Sequence, residues 1–97
     1  MFVVEARVET EHASKYIAQL CKHFRHKVPA EYDEISGEVD FQPGRCELKA
    51  EAGALFMRCE TDDEENVGRL KFILEDHLKR FAWREKPEIT WKGAQGH

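Results

Sequence analysis

Apolar and charged residues alternate one by one along several short segments of this chain, and this pattern most constrains its fold. Between residues 45 and 51, Cys46, Leu48 and Ala50 alternate with charged neighbours, and residues 2–9 follow the same rule. Because strand side chains point alternately to the two faces of a sheet, each segment has one apolar and one charged face. Strands of this kind favour an antiparallel sheet that is covered on one side only.

The pair Pro43-Gly44 predicts the turn between two of these strands. Proline presets the first central position of a turn, and glycine accepts the positive φ that the second position can require. With residues 42–45 as the loop, the inward-facing positions pair across the hairpin. The predicted pairs are Phe41 with Cys46, Val39 with Leu48, and Gly37 with Ala50.

The strand before this turn is predicted to have Ile35, Val39 and Phe41 on its apolar face. A further strand follows the turn at Gly53 and ends at Thr61, with alternate apolar residues facing inward. Those inward residues are Leu55, Met57 and Cys59.

Two helices are predicted from apolar residues at helical spacing. The first follows a Thr10 cap and runs to about Arg25, with Pro29 beyond its end. The second opens on a capping box of Thr61 and Glu64 and ends near Trp83. The apolar stripes consist of Ala13, Ile17, Leu20, Cys21 and Phe24 in the first helix, and of Val67, Leu70, Leu74, Leu78 and Phe81 in the second.

The last strand is expected over residues 88–92, followed by a loose tail. The predicted element order is β-α-β-β-β-α-β. We therefore expect an α+β two-layer sandwich, in which two helices cover one face of a mainly antiparallel five-stranded sheet. In this order both helices run in the same direction and lie parallel. At 97 residues the chain is expected to form a single domain over residues 1–97.

Composition excludes several classes of protein. The net charge of −4 disfavours general nucleic-acid binding, which demands a basic surface. No apolar stretch approaches the ~18 residues of a membrane span, and the N-terminus lacks the pattern of a signal peptide. A cytoplasmic protein is therefore expected. Three cysteines without CxxC spacing predict reduced thiols and no intramolecular disulfide. Alternating charges on the outward faces predict a monomer or a weak homodimer.

Cys21, His23 and His26 form the first candidate site, since a thiol and two imidazoles can all ligate a transition metal. On a helix the three do not share one face. The alternative interpretation is a buried thiol followed by two solvated histidines. His77 lies on the buried side of the second helix, where it is either a ligand or a core histidine bonded to a backbone carbonyl.

Parallel helices would bring these residues to one end of the sandwich. We therefore predict a partly open metal site from Cys21, His23 and His77, with His26 as a fourth ligand. Zinc or iron is the expected ion. Cys46 and Cys59 are expected to be inert core thiols, and no group of residues suggests a hydrolase.

Three segments resemble the signature of a small bacterial family, domain of unknown function 2218. They are LCKHFRHK (residues 20–27), GRCEL (residues 44–48) and DHLKRFAWRE (residues 76–85), and a shared ITW ends at Trp91. Similar domains occur joined to siderophore-interacting flavin reductases, so the resemblance implies iron handling and a reductase as partner. Some members are named aldolases, but a metal-dependent aldolase barrel needs about 250 residues.

Two functions remain open at this point. One is a small metal-handling or ligand-binding accessory module linked to iron acquisition. The other is a structural or protein-interaction domain without a cofactor. An enzyme ranks third, because the sequence presents no catalytic constellation.

Overall fold

The computed structural model describes residues 1–42 and 44–96, with side chains up to residue 93. Within these residues the chain forms six strands and two helices. In chain order they are β1 (Phe2–Glu9), α1 (Ala13–Phe24), β2 (Ala30–Tyr32), β3 (Ser36–Asp40), β4 (Arg45–Glu51), β5 (Ala54–Thr61), α2 (Glu65–Phe81) and β6 (Trp91–Gly96). Pro43 of the predicted turn and His97 of the predicted loose tail lie outside the described residues.

The six strands form one sheet in the order β2-β3-β4-β5-β1-β6, and every neighbouring pair is antiparallel. The predicted α+β class is confirmed, with six strands in place of five. Alternate strand residues form the core with the apolar stripes of the helices, while the intervening charged residues face outward. In the described part of the chain, neither helix is both long and apolar enough to cross a membrane.

The register of the central hairpin differs from the prediction by two residues. Val39 pairs with Cys46 and Gly37 pairs with Leu48, because the loop spans residues 41–44. The Phe41 amide donates to the Gly44 carbonyl at 2.8 Å between the ends of the two strands, so the connection begins one residue earlier than predicted. A shift of two residues keeps every side chain on its predicted face, so the alternation pattern could not detect it. Separately, the register between β4 and β5 places Cys46 directly opposite Cys59.

Ile35 does not face the core as predicted. It precedes β3 and its side chain is 60% exposed. The inward position of β3 is occupied by Gly37, where an added Cβ would lie 2.8 Å from Cys21 Sγ and 2.9 Å from Ile17 Cγ2. Since α1 approaches β3 this closely, a larger inward side chain would not fit there.

Both helices begin later than predicted. The hydroxyl of Thr10 accepts from the His12 amide in a turn that precedes α1, and no side chain caps the helix. The predicted capping box is also absent, since α2 begins at Glu65 and Asp63 Oδ1 accepts from the Glu65 amide. The apolar stripes that predicted the helices are buried, apart from the half-buried Phe81.

The last strand lies further along the chain than predicted. β6 begins at Trp91 and pairs with β1 as far as Gly96, so residues 93–96 of the predicted tail belong to the sheet. The Trp91 indole N–H donates to Glu75 Oε1 at 2.5 Å and joins this strand to α2. Sequence pattern missed the shift because glycines and alanine dominate the strand and carry no alternation.

The short strand β2 was not predicted, and its presence reverses the predicted direction of β3, β4, β5 and α2. Four antiparallel strands, β2 to β5, now separate the two helices in the chain, where the prediction had three. The helices are therefore antiparallel, and the predicted parallel arrangement is wrong. Contacts between them confirm this, since Tyr16 near the start of α1 meets Glu85 beyond the end of α2, while His23 near the end of α1 meets His77.

Candidate functional site

Polar side chains meet along the seam between α1 and α2, at two separate places. At one place the imidazole rings of His23 and His77 lie with their centres 4.6 Å apart and their planes at 45°. At the other, Thr10, Tyr16 and Glu85 share hydrogen bonds. These two clusters are named here the histidine pair and the tyrosine cluster. His23 lies in the segment 20–27, and His77 and Glu85 lie in the segment 76–85.

The position of His77 is set by a hydrogen bond within its own helix. Its Nδ1 lies 2.7 Å from the carbonyl oxygen of Ile73, one turn earlier. Since a carbonyl only accepts, Nδ1 carries the hydrogen and donates it. This is the carbonyl bond of the alternative interpretation, although His77 is half-buried and does not belong to the core. This bond orients the ring, and in a neutral imidazole it places the lone pair on Nε2, the arrangement found in many metal-ligating histidines.

His23 lies on the exposed side of the pair. Its ring contacts Phe81 edge-on at 6.0 Å between centres, and His77 packs on Phe24 at 4.9 Å. Partial loss of hydration, followed by the nearby His77, lowers the pKa of His23 below its ordinary 6.5. The ring is therefore held in its neutral form near pH 7, the form that can ligate a metal.

Cys21 does not join the histidine pair. Its side chain is fully buried, and its Sγ faces Gly37 and the carbonyl oxygen of Glu31, 3.9 Å away. Burial raises the pKa of this thiol, which suits a packed residue better than a ligand. His26 lies exposed in the turn after α1, where its amide donates to the His23 carbonyl at 3.4 Å.

The four predicted ligands are thus divided. The structure brings His23 and His77 together, while Cys21 lies on the sheet side of α1. In residues 1–42 and 44–96, no three histidine, cysteine or carboxylate side chains are grouped closely enough to hold a metal ion. The histidine pair alone remains as a partial site.

The tyrosine cluster was not predicted. Tyr16 is buried and its hydroxyl donates to Glu85 Oε2, while the Thr10 hydroxyl lies 2.9 and 3.0 Å from the two oxygens of the same carboxylate. Burial, and then the bond to Glu85, raises the pKa of Tyr16 to about 12. The bond from Tyr16 lowers the pKa of Glu85. One signal was present in the sequence, since Tyr16 falls on the buried stripe of α1 and a buried hydroxyl needs a partner.

Comparison with known proteins places this α+β sandwich in a family. Residues 5–92 match the family described as an uncharacterized protein conserved in bacteria, DUF2218. The chain belongs to this family. The NMR structure of PA4090 from Pseudomonas aeruginosa is similar, with 35% identity over 99% of this chain and 100% of that chain, and a TM-score of 0.84. No curated protein matches.

Proposed function

We propose that this protein is a small metal-handling module that binds one divalent transition-metal ion between His23 and His77. The observation that carries the proposal is the contact of two imidazoles across two helices, with ring centres 4.6 Å apart. Two imidazoles bound to one tetrahedral zinc through Zn–N bonds of 2.0–2.1 Å have ring centres about 5 Å apart. The observed distance between the ring centres is therefore close to the distance that a chelate requires.

The protonation of the pair supports this role. The lowered pKa of His23 keeps its ring neutral, and the bond from Nδ1 of His77 to Ile73 keeps Nε2 free to bind. Lys27 and Arg80 are close enough to oppose a bound cation. The charge of Arg80 is offset by Asp76, whose carboxylate lies 3.1 Å from its guanidinium.

A site with two protein ligands leaves two positions of a tetrahedral ion for other groups. Water, a small chelator or a side chain of a partner could fill them, so the site suits transfer of a metal more than its storage. Within this proposal, zinc or ferrous iron is the ion, the cytoplasm is the setting, and a siderophore-interacting flavin reductase is the partner. No catalytic step is assigned to the chain.

The test is a calorimetric titration of zinc and of ferrous iron into the purified chain. We expect one ion per chain with a dissociation constant below about 1 mM, and a loss of at least about tenfold in affinity in His23→Ala and in His77→Ala. Circular dichroism checks that both variants remain folded.

His26→Ala is the matched control, because His26 is exposed near the pair but does not contact His77 in the way that His23 does. Its affinity for zinc should stay within about twofold of wild type. If the wild type shows no binding up to millimolar metal, or if the two pair variants bind as well as wild type, the proposed function is wrong.

A second candidate is a protein-interaction domain without a cofactor. It is favoured by two large aromatic side chains, Phe72 on the outer face of α2 and Trp83 just beyond its end, which are 67% and 65% exposed. Exposed aromatic residues are enriched where proteins meet. This alternative gains weight if the titration shows no metal binding.

A further inference from the structure

We infer that Cys46 and Cys59 form a redox-modification site, in which hydrogen peroxide converts the two buried thiols into an intramolecular disulfide. The inference is independent of the histidine pair. It rests on the register of β4 and β5, which places the two cysteines directly opposite each other. Their Sγ atoms lie 2.9 Å apart, and all three cysteines of the chain are free thiols.

The pair is singled out from the third cysteine by its geometry. Opposite residues of antiparallel strands have Cβ atoms about 4.5–5.5 Å apart, close to the 3.5–4.5 Å that a disulfide spans. Cys21 faces Gly37 and Glu31 on the other part of the sheet, away from this pair. The expected bond therefore joins Cys46 to Cys59 and leaves Cys21 reduced.

Burial determines which oxidants can reach the pair. Cys46 and Cys59 are 0% and 1% exposed. The contact with Cys59, and then burial, raises the pKa of Cys46, so little reactive thiolate exists in the closed fold. Both residues lie near the ends of their strands, Cys46 second in β4 and Cys59 third from the end of β5. Because β4 lies between β3 and β5, and β5 lies between β4 and β1, peroxide reaches the two thiols only when this part of the fold opens locally.

The reaction balances with one peroxide for each pair. The first thiolate attacks a peroxide oxygen, the O–O bond breaks, and the hydroxide that leaves takes up a proton to become water. The resulting sulfenic acid is attacked by the second sulfur, the S–O bond breaks, the S–S bond forms, and a second water leaves. Two thiols have then lost two electrons and two protons, and peroxide has been reduced to two waters.

The experiment treats the native full chain with hydrogen peroxide, removes the oxidant with catalase, unfolds the protein and alkylates the remaining thiols. The intact mass should fall by two hydrogen atoms, and labelled thiols should fall from three to one. Trypsin places the three cysteines in separate peptides, residues 16–22, 46–49 and 59–69. The last two should appear cross-linked, with label only on Cys21. Dithiothreitol should restore all three labelled thiols.

Two controls test whether the fold directs the bond. Cys21→Ala should form the same cross-link, and wild type oxidised in guanidinium chloride should give a mixture of pairings, because the register is lost. The inference is overturned if the native protein keeps three labelled thiols, if Cys21 enters the cross-link, or if Cys46 and Cys59 become sulfinic acids without joining. Wild type alone decides among these outcomes, so no variant of the buried pair is needed.

Discussion

The two polar clusters on the helix seam use their hydrogen-bonding groups in opposite ways. In the tyrosine cluster, both hydroxyls donate to one carboxylate, and Tyr16 is buried. In the histidine pair, His77 uses one nitrogen for a backbone bond, His23 is exposed, and the two rings contact each other. The hydroxyls of the tyrosine cluster are bonded to a carboxylate of the same chain. The histidine pair has ring nitrogens that remain available to bind another partner.

This difference shows how structural and functional polar groups can be told apart. Polar groups that are buried and fully bonded stabilise the fold, and removing one leaves the others without a partner. Polar groups at the surface with unused lone pairs contribute little to stability and remain available for binding. We therefore expect the tyrosine cluster to control unfolding and the histidine pair to control metal binding.

The largest effect on stability is expected from Glu85→Ala. This change removes the exposed carboxylate that accepts from Thr10 and Tyr16 and leaves the two buried hydroxyls without an acceptor, so the free energy of unfolding should fall by about 2 kcal/mol. Urea unfolding followed by circular dichroism measures it. Glu88→Ala is the matched control, an exposed glutamate three residues away, and should change stability by less than about 0.5 kcal/mol. Equal effects of the two changes would contradict the structural role of Glu85.

A smaller effect, with a defined pH dependence, is expected from Tyr16→Phe. It removes one hydroxyl while keeping the ring, at a cost of about 1 kcal/mol near pH 7. The folded state raises the pKa of Tyr16 from 10.0 to about 12, so the neutral phenol is favoured in the fold. Its stabilising contribution is complete below pH 10 and is lost as the pH rises towards 12.

The difference in unfolding free energy between wild type and Tyr16→Phe should therefore shrink over this alkaline range. At acid pH the pKa shift has the opposite direction, because the folded state lowers the pKa of Glu85 below its ordinary 4.5. That contribution is complete above pH 4.5 and is lost as the pH falls through the lower folded pKa. Urea titrations at a series of pH values measure both. A difference that stays constant with pH would show that the hydroxyl is not bonded to the carboxylate.

The smallest effect on stability is expected from His23→Ala. The side chain is exposed, and alanine is the better helix former, so the free energy of unfolding should stay within about 0.5 kcal/mol of wild type. Zinc should raise the melting temperature of wild type but not that of the variant, since a ligand stabilises only a state that binds it. A large loss of stability without zinc would place His23 among the structural residues and remove the contrast between the two clusters.

The positions of the histidines show why the sequence predicted only part of how these residues are grouped. His23 and His77 were expected to meet between parallel helices, and they do meet, but between antiparallel ones. Cys21 was assigned to the same site because it borders the apolar stripe of α1, yet that stripe faces two neighbours, the sheet and α2. Helical spacing alone does not say which neighbour a given residue contacts.

What the sequence determined by itself was the class of each segment and the face that each residue presents. Burial of apolar side chains imposes a period of two on strands and 3.6 on helices, and these local patterns remain unchanged when a strand slips by two residues. The inward positions of Val39, Cys46, Leu48 and Cys59 were predicted for this reason, and all four are buried.

The tertiary structure alone decided how these segments pair. The three-residue strand β2 is too short to show a period, yet it reverses the direction of α2. The pairing of β3 with β4 differs from the predicted one by two residues, the register of β4 and β5 sets Cys46 opposite Cys59, and the turn after α2 brings Glu85 to Tyr16. These pairings range from neighbouring strands of one hairpin to Tyr16 and Glu85, which lie 69 residues apart in the chain. They are selected by how the whole core packs, because the local pattern is equally satisfied by several alternatives.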